Sequence, residues 1–171
     1  MVAVRPEQND DIVAVRVINE AAFSGIAEAT IVDSLRKACT DAVSLVAVEN
    51  NMVLGHIFFS MAFVAGEHEV THGMGLAPMA ILPERQRQGI GSMLVQAGID
   101  AMRERNCPFI IVLGHPEYYP RFGFVPASRH GLSCQWDGVP DAAFMVLILD
   151  DSAMAGVSGM IRYRDEFDQA M

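Results

Sequence analysis

Gly75–Arg105 reads GLAPMAILPERQRQGIGSMLVQAGIDAMRER: an apolar run, a basic turn holding two glycines, and an amphipathic stretch. From Leu76 to Leu82 the apolar residues are almost continuous, which predicts a strand covered on both faces. Pro78 cannot donate to a sheet ladder, so it marks a bulge or a place where neighbouring strands part and leave backbone groups free. Pro83 ends the run. From Ile90 the period becomes helical, with Ile90, Met93, Leu94, Ala97 and Ala101 on one face and Ser92, Gln96, Asp100 and Arg103 on the other.

The turn between strand and helix carries the chemistry. The first N–H groups of a helix lack internal partners, and a short polar side chain normally caps one of them. Before Gly89 stand Arg85, Gln86, Arg87 and Gln88, none of them a short cap. Gly89 and Gly91 keep bulk away, so the free N–H groups and the helix dipole predict a phosphate cradle flanked by two arginines.

The chain has 171 residues, 51% hydrophobic and 19% charged, which predicts one globular domain over residues 1–171. No apolar run approaches the roughly 18 residues of a membrane span, and Glu7, Asp10 and Asp11 occupy the amino-terminal segment, so a soluble cytoplasmic protein is expected. The formal charge of −9 argues against nucleic acid as a partner. Cys39, Cys107 and Cys134 lack paired spacing and read as reduced thiols.

Val2–Arg5 predicts a first strand, and helical periodicity follows over Glu7–Phe23 and Ala27–Ala38. Val43–Glu49 and Met52–Val64 predict a hairpin across Asn50-Asn51, since asparagine tolerates positive φ. His56, early in the second strand, is a candidate base or a packed histidine. His68-Glu69-x-x-His72 matches a zinc-hydrolase motif, but its setting is turn and strand, where the two imidazoles would stand about 13 Å apart. No metal site is expected. Pro108–Leu113 predicts a second buried strand, Gly131–Asp141 with Trp136 a substrate loop or a long connection, Ala142–Leu149 a last strand, and residues 150–171 a docked extension.

Gln86-x-x-Gly89-x-Gly91, with ILPE before it and Tyr119 four residues ahead of Gly123-Phe124, resembles the GCN5-related N-acetyltransferase (GNAT) superfamily. APMAILPERQRQGIGSML, VLGHPEYYPRFGF and FMVLILDDSAMAGVSGMIRYRDEF together resemble its YhbS type over nearly the whole chain. The resemblance implies a mixed α/β, α+β-like fold, with a splayed central sheet of six to seven strands flanked by helices. It implies acetyl-CoA as acyl donor and transfer to a primary amine, on a small molecule or a peptide, by a monomer or homodimer; a non-catalytic acyl-CoA sensor is the alternative. On this pattern Gln86, Arg87, Gln88, Gly89, Ile90, Gly91, Ser92 and Met93 hold the pyrophosphate. N–H groups of Met79, Ala80 and Ile81 face the reacting carbonyl, Ile81 and Leu82 meet the pantetheine, Tyr119 lies near the sulfur, and Phe122 is a further cofactor contact. Tyr118 is expected only to pack. The first two helices wall the acceptor in the family, which makes Phe23 and Glu28, with Trp136, candidate acceptor contacts.

For Tyr119 a separate chemical argument exists. A thiol titrates near about 8.5 and a phenol near about 10, so the phenol keeps its proton at neutral pH and can act as general acid to a departing thiolate. Leu76–Leu82 contains no carboxylate, leaving Glu20, His56, His115 or bulk water as base.

Overall fold

The structure, a computed structural model, describes residues 1–170. Strand β1 (Ala3–Pro6) leads through a 3-10 turn into helices α1 (Ile12–Phe23) and α2 (Ala27–Ala38). Strands β2 (Val43–Glu49), β3 (Met52–Ala65) and β4 (Val70–Ile81) form a meander, followed by helix α3 (Ile90–Glu104) and strand β5 (Phe109–Leu113). The chain ends with short β6 (Val125–Pro126) and β7 (Leu132–Cys134), then β8 (Phe144–Ile148), one turn of helix α4 (Asp151–Met154) and β9 (Gly159–Arg162).

The main sheet path is β1-β2-β3-β4-β5-β8-β6, within the expected six to seven strands; β7 and β9 bring the total to nine. All neighbours on that path are antiparallel except β4 and β5. Helices α1 and α2 cover one face of the sheet and α3 the other, each over its own apolar cluster. Helix α1 begins at Ile12 rather than Glu7. Asp11 is buried there and receives two hydrogen bonds from Arg5 (2.6 and 3.0 Å), holding the preceding residues in a 3-10 turn. The β2–β3 turn has positive φ at both Asn50 (50°) and Asn51 (63°), the conformation a two-residue hairpin needs.

Two features of β4 position the site. Against β3 its register slips by one residue, between the pairs Phe59↔Leu76 and Ile57↔Met79, so Ala77 and Pro78 form a bulge; their peptide bond is cis. Against β5 it pairs only at Met74, Gly75 and Leu76. Beyond Leu76 the strands part, and β4 runs on to Ile81 with one edge open.

Strand β4 starts at Val70, six residues earlier than its apolar run suggests. Gly73 and Gly75 lie inside it because aromatic rings occupy the space of their missing side chains. A Cβ at Gly73 would stand 2.6 Å from the Phe109 ring, and one at Gly75 would stand 2.8 Å from the Tyr163 ring. Near its end β3 outruns β2, and β9 takes the vacant edge, pairing Phe63, Val64 and Ala65 with Arg162, Ile161 and Met160. This lays Tyr163 and Phe167, both buried, against the body of the protein.

Candidate active site

After Ile81 the chain makes a 3-10 turn over Pro83–Arg85 and enters α3 through Arg87 (φ 61°) and Gly89 (φ 86°), both left-handed. No side chain caps α3, and its first backbone bond runs from Met93 N–H to Gly89 C=O. The N–H groups of Ile90, Gly91 and Ser92 are thereby left for an outside acceptor, at the positive end of a 15-residue helix. These residues line a cavity of ≈ 470 Å³ together with Gln86, Arg87 and Arg121. Arg85 also reaches it, but donates to Glu49 (2.9 Å) and Gln88 (3.1 Å); the Arg85 hydrogen bond holds the Glu49 carboxyl below its ordinary range. Among the described residues, Arg87 and Arg121 pair with no carboxylate.

The space is suited to a diphosphate. A side chain at Gly89 would be strained by its positive φ, and a Cβ on Gly91 would stand 2.8 Å from the Tyr118 hydroxyl across the cavity. Arg121 was not legible as a cradle residue. It arrives from the turn after β5, its guanidinium lying 4.4 Å over the Tyr118 ring.

A second cavity, ≈ 480 Å³, opens where β4 and β5 part. Met79 and Tyr118 line both cavities and form the partition between them. Tyr118 therefore does more than pack, although its ring also meets Tyr119 edge-on at 5.1 Å. Tyr119 begins the 3-10 turn Tyr119–Phe122, with its ring against Phe124 (5.6 Å) and over Gly114, where a Cβ would clash at 2.4 Å. Burial, then the neighbouring Tyr118 phenol, raises the Tyr119 pKa well above the ordinary phenol value, so the group is a proton donor at neutral pH.

Backbone alternation sorts the β4 groups. Leu82 N–H donates to Leu54 C=O (2.9 Å), and Ala80 lies opposite His56 two residues away, so both residues turn their backbone groups toward β3. Those of Met79 and Ile81 turn toward the open edge, where Gln86 Nε2 already donates to Ile81 C=O (3.2 Å). Leu82 N–H is thus spent within the sheet, contrary to the expectation that it would serve pantetheine. Ala80 has a buried side chain as well. Gln88 donates to Glu84 C=O (3.3 Å), Met93 faces solvent and Phe122 packs on Tyr118 (5.4 Å); none lines either cavity.

Phe23, Glu28, Trp136 and His115 come together around the second cavity from four separate segments. Glu20 does not: it pairs with Arg16 (2.9 Å) on α1. His56 does not either. It is fully buried under α1, with Nδ1 3.2 Å from Asn19 Nδ2 and Nε2 2.9 Å from Ser44 Oγ, and burial pushes its pKa down to about 3. Both ring nitrogens are engaged away from either cavity, so the expectation of His56 as base gives way to the packed reading. His68 lies in the turn before β4 and His72 on the strand, both exposed. No cluster of three or more metal-ligating side chains exists among the described residues.

Sequence reasoning also missed Tyr163. Met160-Ile161-Arg162-Tyr163 has no clean polar–apolar alternation, so its burial pattern, with Ile161 and Tyr163 inside and Met160 and Arg162 outside, emerges only from the structure. Gln135 Oε1 accepts from Tyr163 N–H (2.6 Å) and Trp136 Nε1 donates to Asp168 (3.1 Å), so loop and tail make one wall of the second cavity.

Residues 12–124 match the model of the "Acetyltransferase (GNAT) family". The chain is 34% identical over 167 residues to the uncharacterized N-acetyltransferase YhbS of Escherichia coli K12, covering 97% of this chain and 98% of that one. Among solved structures it is similar to the Escherichia coli GNAT family N-acetyltransferase YhbS in complex with CoA (TM-score 0.89, 33% identity, 98% of this chain and 92% of that one). It is similar also to a GNAT family acetyltransferase from Brucella melitensis in complex with acetyl-CoA (TM-score 0.79, 32% identity, 98% and 99%). An uncapped glycine turn beside a sheet that parts at a β-bulge, matched over most of the chain by model and relatives alike, identifies this protein as a member of the acetyltransferase (GNAT) family.

Proposed function

We propose that this chain transfers the acetyl group of acetyl-CoA directly to a primary amine while both are bound. The observation that carries the reading is the meeting of the two cavities at Met79 and Tyr118, with the buried phenol of Tyr119 at the edge of the second. Its similarity to proteins crystallised with CoA and with acetyl-CoA supports the choice of donor.

The helix-start N–H groups, Arg87 and Arg121 hold the pyrophosphate; Met79 and Ile81 offer open backbone groups to the pantetheine arm. Acetyl-CoA supplies the activated acyl group. As the amine nitrogen bonds to the carbonyl carbon, Met79 N–H donates to the oxygen that gains charge, the C–S bond breaks, and Tyr119 gives its proton to the departing sulfur. His115, alone among the three candidate side chains in lining the acceptor cavity, takes the proton released by the amine. A module that only binds acyl-CoA would need the cradle but not a protonated phenol beside an acceptor cavity.

Calorimetric titration of acetyl-CoA into the wild type and into an Arg87→Ala, Gly89→Trp variant tests the cradle. Binding that the variant loses, followed by thiol release with an added amine, supports transfer. Absence of binding to the wild type would overturn it, and binding without turnover over a broad amine panel would leave the sensor.

A further inference from the structure

The acceptor cavity has an unusual balance of chemistry for a site that takes an amine. Six aromatic side chains contribute to it: Phe23, Tyr118, Tyr119, Trp136, Tyr163 and Phe167. Against them stands one carboxylate, Glu28, on the first turn of α2. No ion pair among the described residues engages Glu28. Neither lysine nor arginine lines the cavity among the described residues, and its volume of ≈ 480 Å³ is that of a small-molecule site.

Each of these facts selects against a kind of acceptor. An amino acid would bring its own carboxylate into a wall that offers no cation, beside a carboxylate already there. A polyamine would place one ammonium at Glu28 and leave the others with no carboxylate, because Glu28 is the one carboxylate among the described lining residues. An aminosugar would set several hydroxyls against a wall made mostly of aromatic and aliphatic faces. A single ammonium on a flat apolar body meets none of these costs: the charge has Glu28 and the aromatic faces, and the body has Phe23, Trp136 and Phe167.

We infer that the acceptor is an arylalkylamine, a primary amine on a short chain from an aromatic ring, with Glu28 holding its ammonium and the aromatic wall its ring. The reaction rests on the transfer described above; the binding site does not. Glu28 is a binding residue here. The ammonium it holds gives one proton to bulk water before the nitrogen attacks, and His115 takes the second as the C–N bond forms.

Trp136 is the chain's one tryptophan and lines the cavity, so its fluorescence reports occupancy without any need for turnover. Phenethylamine should alter it saturably, with a Kd at least about tenfold below those of phenylalanine and spermidine. Glu28→Gln should raise the phenethylamine Kd by about tenfold or more and leave acetyl-CoA binding unchanged. Phe23→Ala, at an exposed helix end, should weaken phenethylamine without disturbing the fold. Equal affinity for phenylalanine or spermidine, no saturable response to phenethylamine, or a neutral Glu28→Gln change would each overturn the inference. Saturable phenethylamine binding with no thiol release from acetyl-CoA would refute transfer and leave the acceptor class standing. Thiol release with spermidine and none with phenethylamine would do the reverse.

Discussion

Acidification gives the sharpest test of the reading of His56. Asn19 Nδ2 donates to Val15 C=O (2.9 Å), which fixes the amide and turns a donor toward Nδ1 of the imidazole. Nδ1 must then be an acceptor, and Nε2 carries the proton toward Ser44 Oγ. A second proton would set two donors face to face in a fully buried site. Burial, with a smaller contribution from Arg36, holds the pKa at about 3, against about 6.5 in the unfolded chain. Below about pH 6.5 the unfolded chain therefore binds a proton that the native state refuses, so stability falls with pH until the native pKa is reached.

Each pH unit in that window costs about 1.4 kcal/mol, so lowering the pH from about 7.5 to about 5 should remove about 2 kcal/mol through this one residue. Carboxylates with lowered pKa, such as Asp11 beside Arg5, lose their contribution at lower pH and add little here. Urea unfolding at both pH values, for wild type and His56→Asn, measures it. The wild type should lose about 2 kcal/mol more than the variant. Equal losses would refute the buried, neutral imidazole and return His56 to the candidates for proton transfer.

Tyr119→Phe removes only a hydroxyl from a ring held by Tyr118 and Phe124, so it should lower kcat by about 100-fold while acetyl-CoA affinity stays constant. Unchanged turnover would remove its assigned role. Arg121→Ala should weaken acetyl-CoA binding by about tenfold and flatten its dependence on salt, checked by titration at two ionic strengths. Gly98→Ala places a Cβ 2.3 Å from the Phe59 ring, so it should destabilise the fold by about 1–3 kcal/mol despite alanine's better helix propensity; thermal unfolding would show it.

Where local chemistry decides structure, the sequence was sufficient. Helix α2 has the predicted bounds, the paired asparagines make the hairpin turn, and the change of period at Ile90 marks the start of α3. Pro78 marks the bulge because a residue without an N–H has few other places in a sheet. The misses share a different cause. Gly73 and Gly75 sit in a turn-and-strand setting by sequence, and only the rings of Phe109 and Tyr163, 36 and 88 residues further on, show why glycine stands inside the strand. Strands β7 and β9 are only three and four residues long, and their pairing depends on how far β3 outruns β2. Arg121 reaches the cavity at the start of α3, and Tyr163 the second cavity, for the same reason: tertiary placement, which no local period encodes.

The partition formed by Met79 and Tyr118 separates two surfaces with different histories along the chain. Apart from Tyr118 and Arg121, the cavity at the start of α3 is lined by one contiguous segment, Met79 to Ser92. The second cavity adds to the β4 and β5 residues, and to the turn after β5, side chains from the ends of both amino-terminal helices, the Trp136 loop and the tail after β9. Diversification can therefore proceed on one side alone. Phe23, Glu28, Trp136 and Phe167 line the second cavity alone, so on the proposed reading a library built at those four positions would vary the amine while leaving the glycine turn as it is.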